Sequence, residues 1–93
     1  MARRSSSEPI SDRRLLEETF GQVLREKRLA LGLRMIDLET DDGIGRSHIG
    51  KIESADSQIC LRGLFQVAEG LEITPEELIA DVRRRYEARR QKL

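Results

Sequence analysis

Between Ser11 and Leu93 the apolar residues recur at steps of three and four, and turn-forming residues interrupt that period before any one helix grows long. Leu16, Phe20, Val23 with Leu24, and Leu31 fall on one helical face. Gly32 and Gly43 break the pattern, and Leu61, Leu64, Phe65 and Ala68 resume it after the polar stretch Ser54 to Gln58. A period of 3.6 does not fit a strand. With no Trp, one Tyr, two Phe and 37% charged residues, the composition also favours helical surfaces over sheet. The expectation is an all-α, compact five-helix fold without strands, built on one modest core, with no second domain in 93 residues.

The interruptions give the boundaries. Helix one is expected from Ser11 to Leu31, closed by Gly32 in the left-handed conformation with Leu33 packing back on it. Arg34 to Asp42 reads as a short second helix with Ile36 and Leu38 buried, followed by a sharp turn at Gly43 anchored by Ile44. Gly45 to Glu53 forms the third, with Ile49 and Ile52 on its inner face and Arg46, Ser47 and Gly50 on others. The fourth ends near Leu71, its last turn weakened by Gly70. Thr74-Pro75-Glu76-Glu77 marks the start of the fifth: threonine as N-cap, proline at the first helical position, glutamate at the third. Beyond it Ile79, Val82, Tyr86, Arg89 and Leu93 alternate steps of three and four, which reads either as a dimerisation seam or as a basic tail that frays after Val82. The resulting organisation is a disordered basic arm over 1–10, a helical domain over 11–80 and a C-terminal helix extension over 81–93. The two arginines of the arm are either inert or within reach of a phosphate or minor groove.

Several function classes drop out. One cysteine, Cys60, and one histidine, His48, cannot form an internal disulfide or an ordinary four-ligand zinc site, so no metal and no cofactor is expected. Cys60 reads as a small buried residue rather than a nucleophile. No Ser-His-Asp or Cys-His pairing and no phosphate-binding glycine loop is present, so no catalytic residue and no small-molecule substrate is expected. No apolar run is long enough to span a membrane and Met1 to Ile10 has no signal-peptide core, which points to the cytoplasm.

A net charge of zero conceals three blocks. Residues 1–34 carry eight basic against five acidic side chains, 35–80 carry three against ten, and 81–93 carry six against two. The ends are basic and the middle acidic.

Leu24 and Arg28, Gly32-Leu33, Leu38, Gly43, the run Arg46-Ser47-His48-Ile49-Gly50-Lys51-Ile52-Glu53, and then Leu64, Val67-Ala68, Leu71 and Pro75-Glu76-Glu77-Leu78 follow one another in an order and at gaps that resemble the Cro and lambda-repressor type of helix-turn-helix, the XRE family of regulators. The resemblance covers about Phe20 to Ile79 and implies a transcriptional regulator of the repressor kind that binds double-stranded DNA as a homodimer. Its third helix would enter the major groove. It further implies base contacts from Arg46, Ser47, Gly50 and Lys51, and backbone contacts from Arg34 and Arg62. His48 is either a backbone contact or a partly buried structural residue. The resemblance also implies a structural ion pair between Arg28 and Glu53, and the seam read from the spacing would put dimerisation residues at Ile79, Val82, Tyr86 and Leu93.

Four positions depart from the family pattern. Met35 replaces a glutamine at the start of helix two, Glu39 a small residue where helices two and three approach, Glu72 a small residue after helix four, and Ile59 a proline before it. Glu39 must escape to solvent or find Arg46 or Lys51. Together with Asp37, Asp41 and Asp42 it makes helix two acidic, which opposes phosphates and leaves open a second reading: a protein-interaction module or antitoxin that docks this segment on a basic partner.

Overall fold

The computed structural model describes residues 10–41 and 43–92. The arm expected over 1–10 therefore lies outside the described residues except for Ile10, as do Asp42 and Leu93. Among the described residues there are four α-helices, α1 (Ile10–Ala30), α2 (Arg46–Glu53), α3 (Leu61–Gly70) and α4 (Pro75–Arg90), one 3-10 turn over Met35–Leu38, and no strand. The all-α expectation stands, but the count of five helices does not, because the expected second helix is a single 3-10 turn.

Its early end has a local cause. Asp37 caps the turn by accepting from the Arg34 backbone N–H at 2.7 Å, and Glu39 then turns extended at φ −69°, ψ 142°. Thr40 closes a clasp with Ile44: its N–H donates to the Ile44 carbonyl at 3.0 Å, and its hydroxyl accepts from the Ile44 N–H at 3.1 Å. A side chain that satisfies the backbone this way competes with helix continuation. Gly43 has no left-handed backbone here, and a Cβ on it would lie 2.1 Å from Gln66 Oε1, so the end of the Gln66 side chain would have to move aside.

The core is Phe20, Val23, Leu24, Leu38, Ile44, Ile49, Ile52, Val67, Ala68, Leu71, Leu78 and Val82. On α1 the inward stripe is Leu15, Thr19, Phe20, Val23, Leu24 and Arg28, so Leu15 rather than Leu16 faces in, and Leu31 is exposed. Thr19 is fully buried because both sides of its hydroxyl are used: it donates to the Leu15 carbonyl at 2.7 Å and accepts from Arg89 Nη1 at 3.1 Å. Mid-helix Gly21 is where α2 comes closest to α1. A Cβ there would stand 2.6 Å from the carbonyl oxygens of both Ile52 and Glu53.

Three helices end in the same way. The N–H groups of Gly32 and Leu33 donate to Leu29 and Arg28, those of Ala55 and Asp56 to Ile52 and Lys51, and those of Glu72 and Ile73 to Glu69 and Ala68. This is the two-bond closure that requires one left-handed residue. Gly32 adopts it without steric cost at φ 71°, whereas Ala55 at φ 67° and Glu72 at φ 63° adopt it with a Cβ.

α4 packs along α1. Thr74 and Glu77 form the expected reciprocal cap, and Thr74 donates through its N–H to Glu77 Oε1 at 2.9 Å while its hydroxyl accepts from the Glu77 N–H at 3.0 Å. Farther along, Asp81 meets Lys27 at 3.1 Å and also pairs with Arg84, while Arg85 reaches Glu26 at 2.5 Å. Arg89 reaches Gln22 as well as Thr19. The basic run thus clamps α4 to α1, and the helix continues to Arg90 rather than fraying after Val82.

Candidate nucleic-acid interface

α2 is held by its two isoleucines. Ile49 is 0% and Ile52 1% exposed, and their spacing of three turns Arg46, Ser47 and Lys51 outward, all three exposed. Among the described residues neither the Arg46 guanidinium nor the Lys51 ammonium has a hydrogen-bonded or ion-paired partner. Two cations and a hydroxyl thus share one open helical face. Gly50 is half-buried, and a Cβ on it would be in ordinary van der Waals contact with Met35 Sδ at 3.5 Å.

The helix begins without a side-chain cap of its own, since its N-cap is Gly45. Glu39 supplies one from outside: its Oε2 accepts from the Arg46 backbone N–H at 3.1 Å. The glutamate therefore takes neither of the side chains that stand nearest in sequence logic, and instead satisfies one of the open N–H groups at a helix start. That role was missed from sequence; a glutamate preceding a glycine N-cap by a short turn was the available signal.

The residues expected on the DNA backbone are arranged differently from one another. Arg34 is exposed, but its guanidinium pairs with Asp37 at 3.1 Å, and the Arg34 side chain and N–H together hold the Asp37 carboxyl below the usual carboxylate range. Arg62, on the first turn of α3, is exposed. His48 is half-buried and lines a shallow recess with Ile44, Cys60, Arg62 and Gln66. Cys60 is exposed rather than buried, and its Sγ accepts from the Gly63 N–H at 3.3 Å as the N-cap of α3.

The far end of α2 is tied to the scaffold. Arg28 donates from Nε and Nη2 to the two carboxylate oxygens of Glu53 at 2.7 and 3.0 Å, and from Nη1 to the Leu33 carbonyl at 2.8 Å. The hydrogen bond to Glu53 raises the Arg28 pKa above its already high ordinary value against the opposing effect of burial.

A short 3-10 turn, a clasped loop and an eight-residue helix with an outward basic face is a helix-turn-helix arrangement, and a helix-turn-helix family model matches residues 24–78. The chain belongs to the Cro/C1-type (XRE) helix-turn-helix family. Members of this family are DNA-binding regulators, and in this chain α2 occupies the position of the motif's second helix. Comparison with curated proteins and comparison with solved structures give no match.

Of the residues expected to form a dimer seam, Val82 is 4% exposed and part of the core. Tyr86 is half-buried beneath Arg90, whose guanidinium lies 5.4 Å from the ring centre. Ile79 remains 43% exposed, and Leu93 lies outside the described residues. Among the described residues no helix is long and apolar enough to cross a membrane.

Proposed function

We propose that this chain is a sequence-specific DNA-binding transcriptional regulator that occupies an operator as a homodimer, with α2 in the major groove. The observation that carries the reading is the open face of Arg46, Ser47 and Lys51 on a helix whose inner face and far end are both locked. A guanidinium without a partner among the described residues is available to guanine O6 and N7, and an ammonium to a base or phosphate. Arg62 and His48, beside the start of α3, would follow the phosphate backbone.

A twofold dimer would present two such helices to half-sites about 34 Å apart. The exposed face of α4 suits this. Ile79 and Ala80 lie between Glu76 and Arg83, which stand equally far on either side of them. Antiparallel packing of two α4 helices about that point brings each Glu76 opposite the partner's Arg83.

The acidic segment favours a protein-interaction reading less than its composition implied, because the Asp37 carboxylate is paired with Arg34 within the chain. Selection of bound duplexes from a random library, with Arg46→Ala and Lys51→Ala proteins in parallel, tests the proposal. It expects a pseudo-palindrome from the wild type that the variants fail to enrich. Equal behaviour of all three proteins would overturn it.

A further inference from the structure

Resting on the DNA-reading function above, we infer that Glu39 is a specificity-determining residue that reads an exocyclic amino group, foremost cytosine N4, beside the base read by Arg46. The Glu39 side chain is exposed, and its Oε2 is held at the first turn of α2 by the Arg46 N–H. The same residue thus fixes the carboxylate with its backbone and carries on its side chain a guanidinium that has no partner among the described residues. The carboxylate's other oxygen has no hydrogen-bonded partner among the described residues, so it keeps its accepting capacity toward whatever enters in front of the helix.

The chemistry of that pair is directional. An ionised carboxylate only accepts, and a guanidinium only donates. In the major groove a guanine offers the acceptors O6 and N7, and its paired cytosine offers the donor N4. A donor fork and an acceptor side by side therefore match a G·C pair or two neighbouring pairs of that composition. Guanine or thymine in front of Glu39 would set an acceptor against a negative charge. The repulsion that an acidic residue exerts on phosphates is uniform across sequences, whereas this contact discriminates among them.

The experiment is the duplex selection repeated with Glu39→Gln, followed by titration of wild type and variant with the four duplexes that differ at the affected position. The amide oxygen of glutamine can still accept from the Arg46 N–H, and circular dichroism and thermal melting of the two proteins check that the fold is retained. The expected result is a cytosine preference of roughly tenfold or more in the wild type that the variant loses or shifts toward adenine, which glutamine can bind through N6 and N7. An operator enriched by both proteins with the same preference at every position, and affinity altered uniformly, would reduce Glu39 to a helix cap and overturn the inference while leaving the DNA-reading function in place. Absence of any enriched sequence with the wild type would overturn both.

Discussion

Arg28 and Glu53 join the end of α1 to the end of α2 through two parallel N–H···O bonds, and with side chains only 7% and 3% exposed the pair is sheltered from water. The third bond from Arg28, to the Leu33 carbonyl, extends the tie to the segment that closes α1. One guanidinium therefore sets the angle at which α2 leaves the domain. Replacing both partners by apolar residues of similar size need not destabilise, but removing one leaves a buried charge unpaired. Glu53→Ala or Arg28→Met is expected to lower the unfolding free energy by about 3–5 kcal/mol. Urea denaturation of the single and double variants measures it, and a double variant more stable than either single one is the expected signature.

Gly21 gives an independent probe of the same interface. A methyl group at this position meets two backbone carbonyl oxygens at 2.6 Å, and backbone cannot rotate away as a side chain can. Gly21→Ala is expected to cost about 1–3 kcal/mol in spite of alanine's better helix propensity, lowering the melting temperature by roughly 5 °C or more. Thermal unfolding followed by circular dichroism reads the change.

Two left-handed residues are places where stability can be gained. Glu72 and Ala55 close α3 and α2 with φ near 65°, where a side chain costs about 1 kcal/mol or more relative to glycine. Glycine's larger entropy in the unfolded chain offsets part of that gain. Glu72→Gly and Ala55→Gly are each expected to stabilise by up to about 1 kcal/mol, shown by a higher urea midpoint at unchanged slope.

Asp81 couples stability to pH. Burial opposes its ionisation, but the hydrogen bond and charge of Lys27, with the charges of Arg85 and Arg84, outweigh burial and leave the carboxyl below its ordinary pKa. Its contribution is therefore fully present above the unfolded-state value of roughly 3.9 and is lost as pH falls through the lower folded value. Asp81→Asn is expected to reduce stability at neutral pH and to flatten the decline expected of the wild type below about pH 4, measured as melting temperature against pH.

How far the sequence foretold this molecule follows from what kind of interaction each residue makes. The apolar period placed Phe20, Val23, Leu24, Ile49 and Ile52 inside, and the Thr74 to Glu77 cap marked the start of α4, because both are local signals. Leu15 and Leu16 are neighbours on the rim of the stripe, and periodicity alone does not choose between them. Val82 went into the core, which its place in a three-and-four step does not by itself foretell. Helix two shrank to a turn because Thr40 found Ile44, and Glu39 found the Arg46 N–H instead of a side chain; both are tertiary matches between short polar groups with no periodic signature. The outward face of Arg46, Ser47 and Lys51 was readable since it is the complement of two buried isoleucines.

Titration of a selected duplex and of a scrambled duplex with wild type and Arg46→Ala at fixed salt tests the central claim, that the open face of α2 reads bases. The account predicts that Arg46→Ala weakens binding to the selected duplex by roughly ten- to hundredfold, leaves the scrambled duplex nearly unaffected and does not change the melting temperature. An equal loss on both duplexes, or no loss on either, would contradict it.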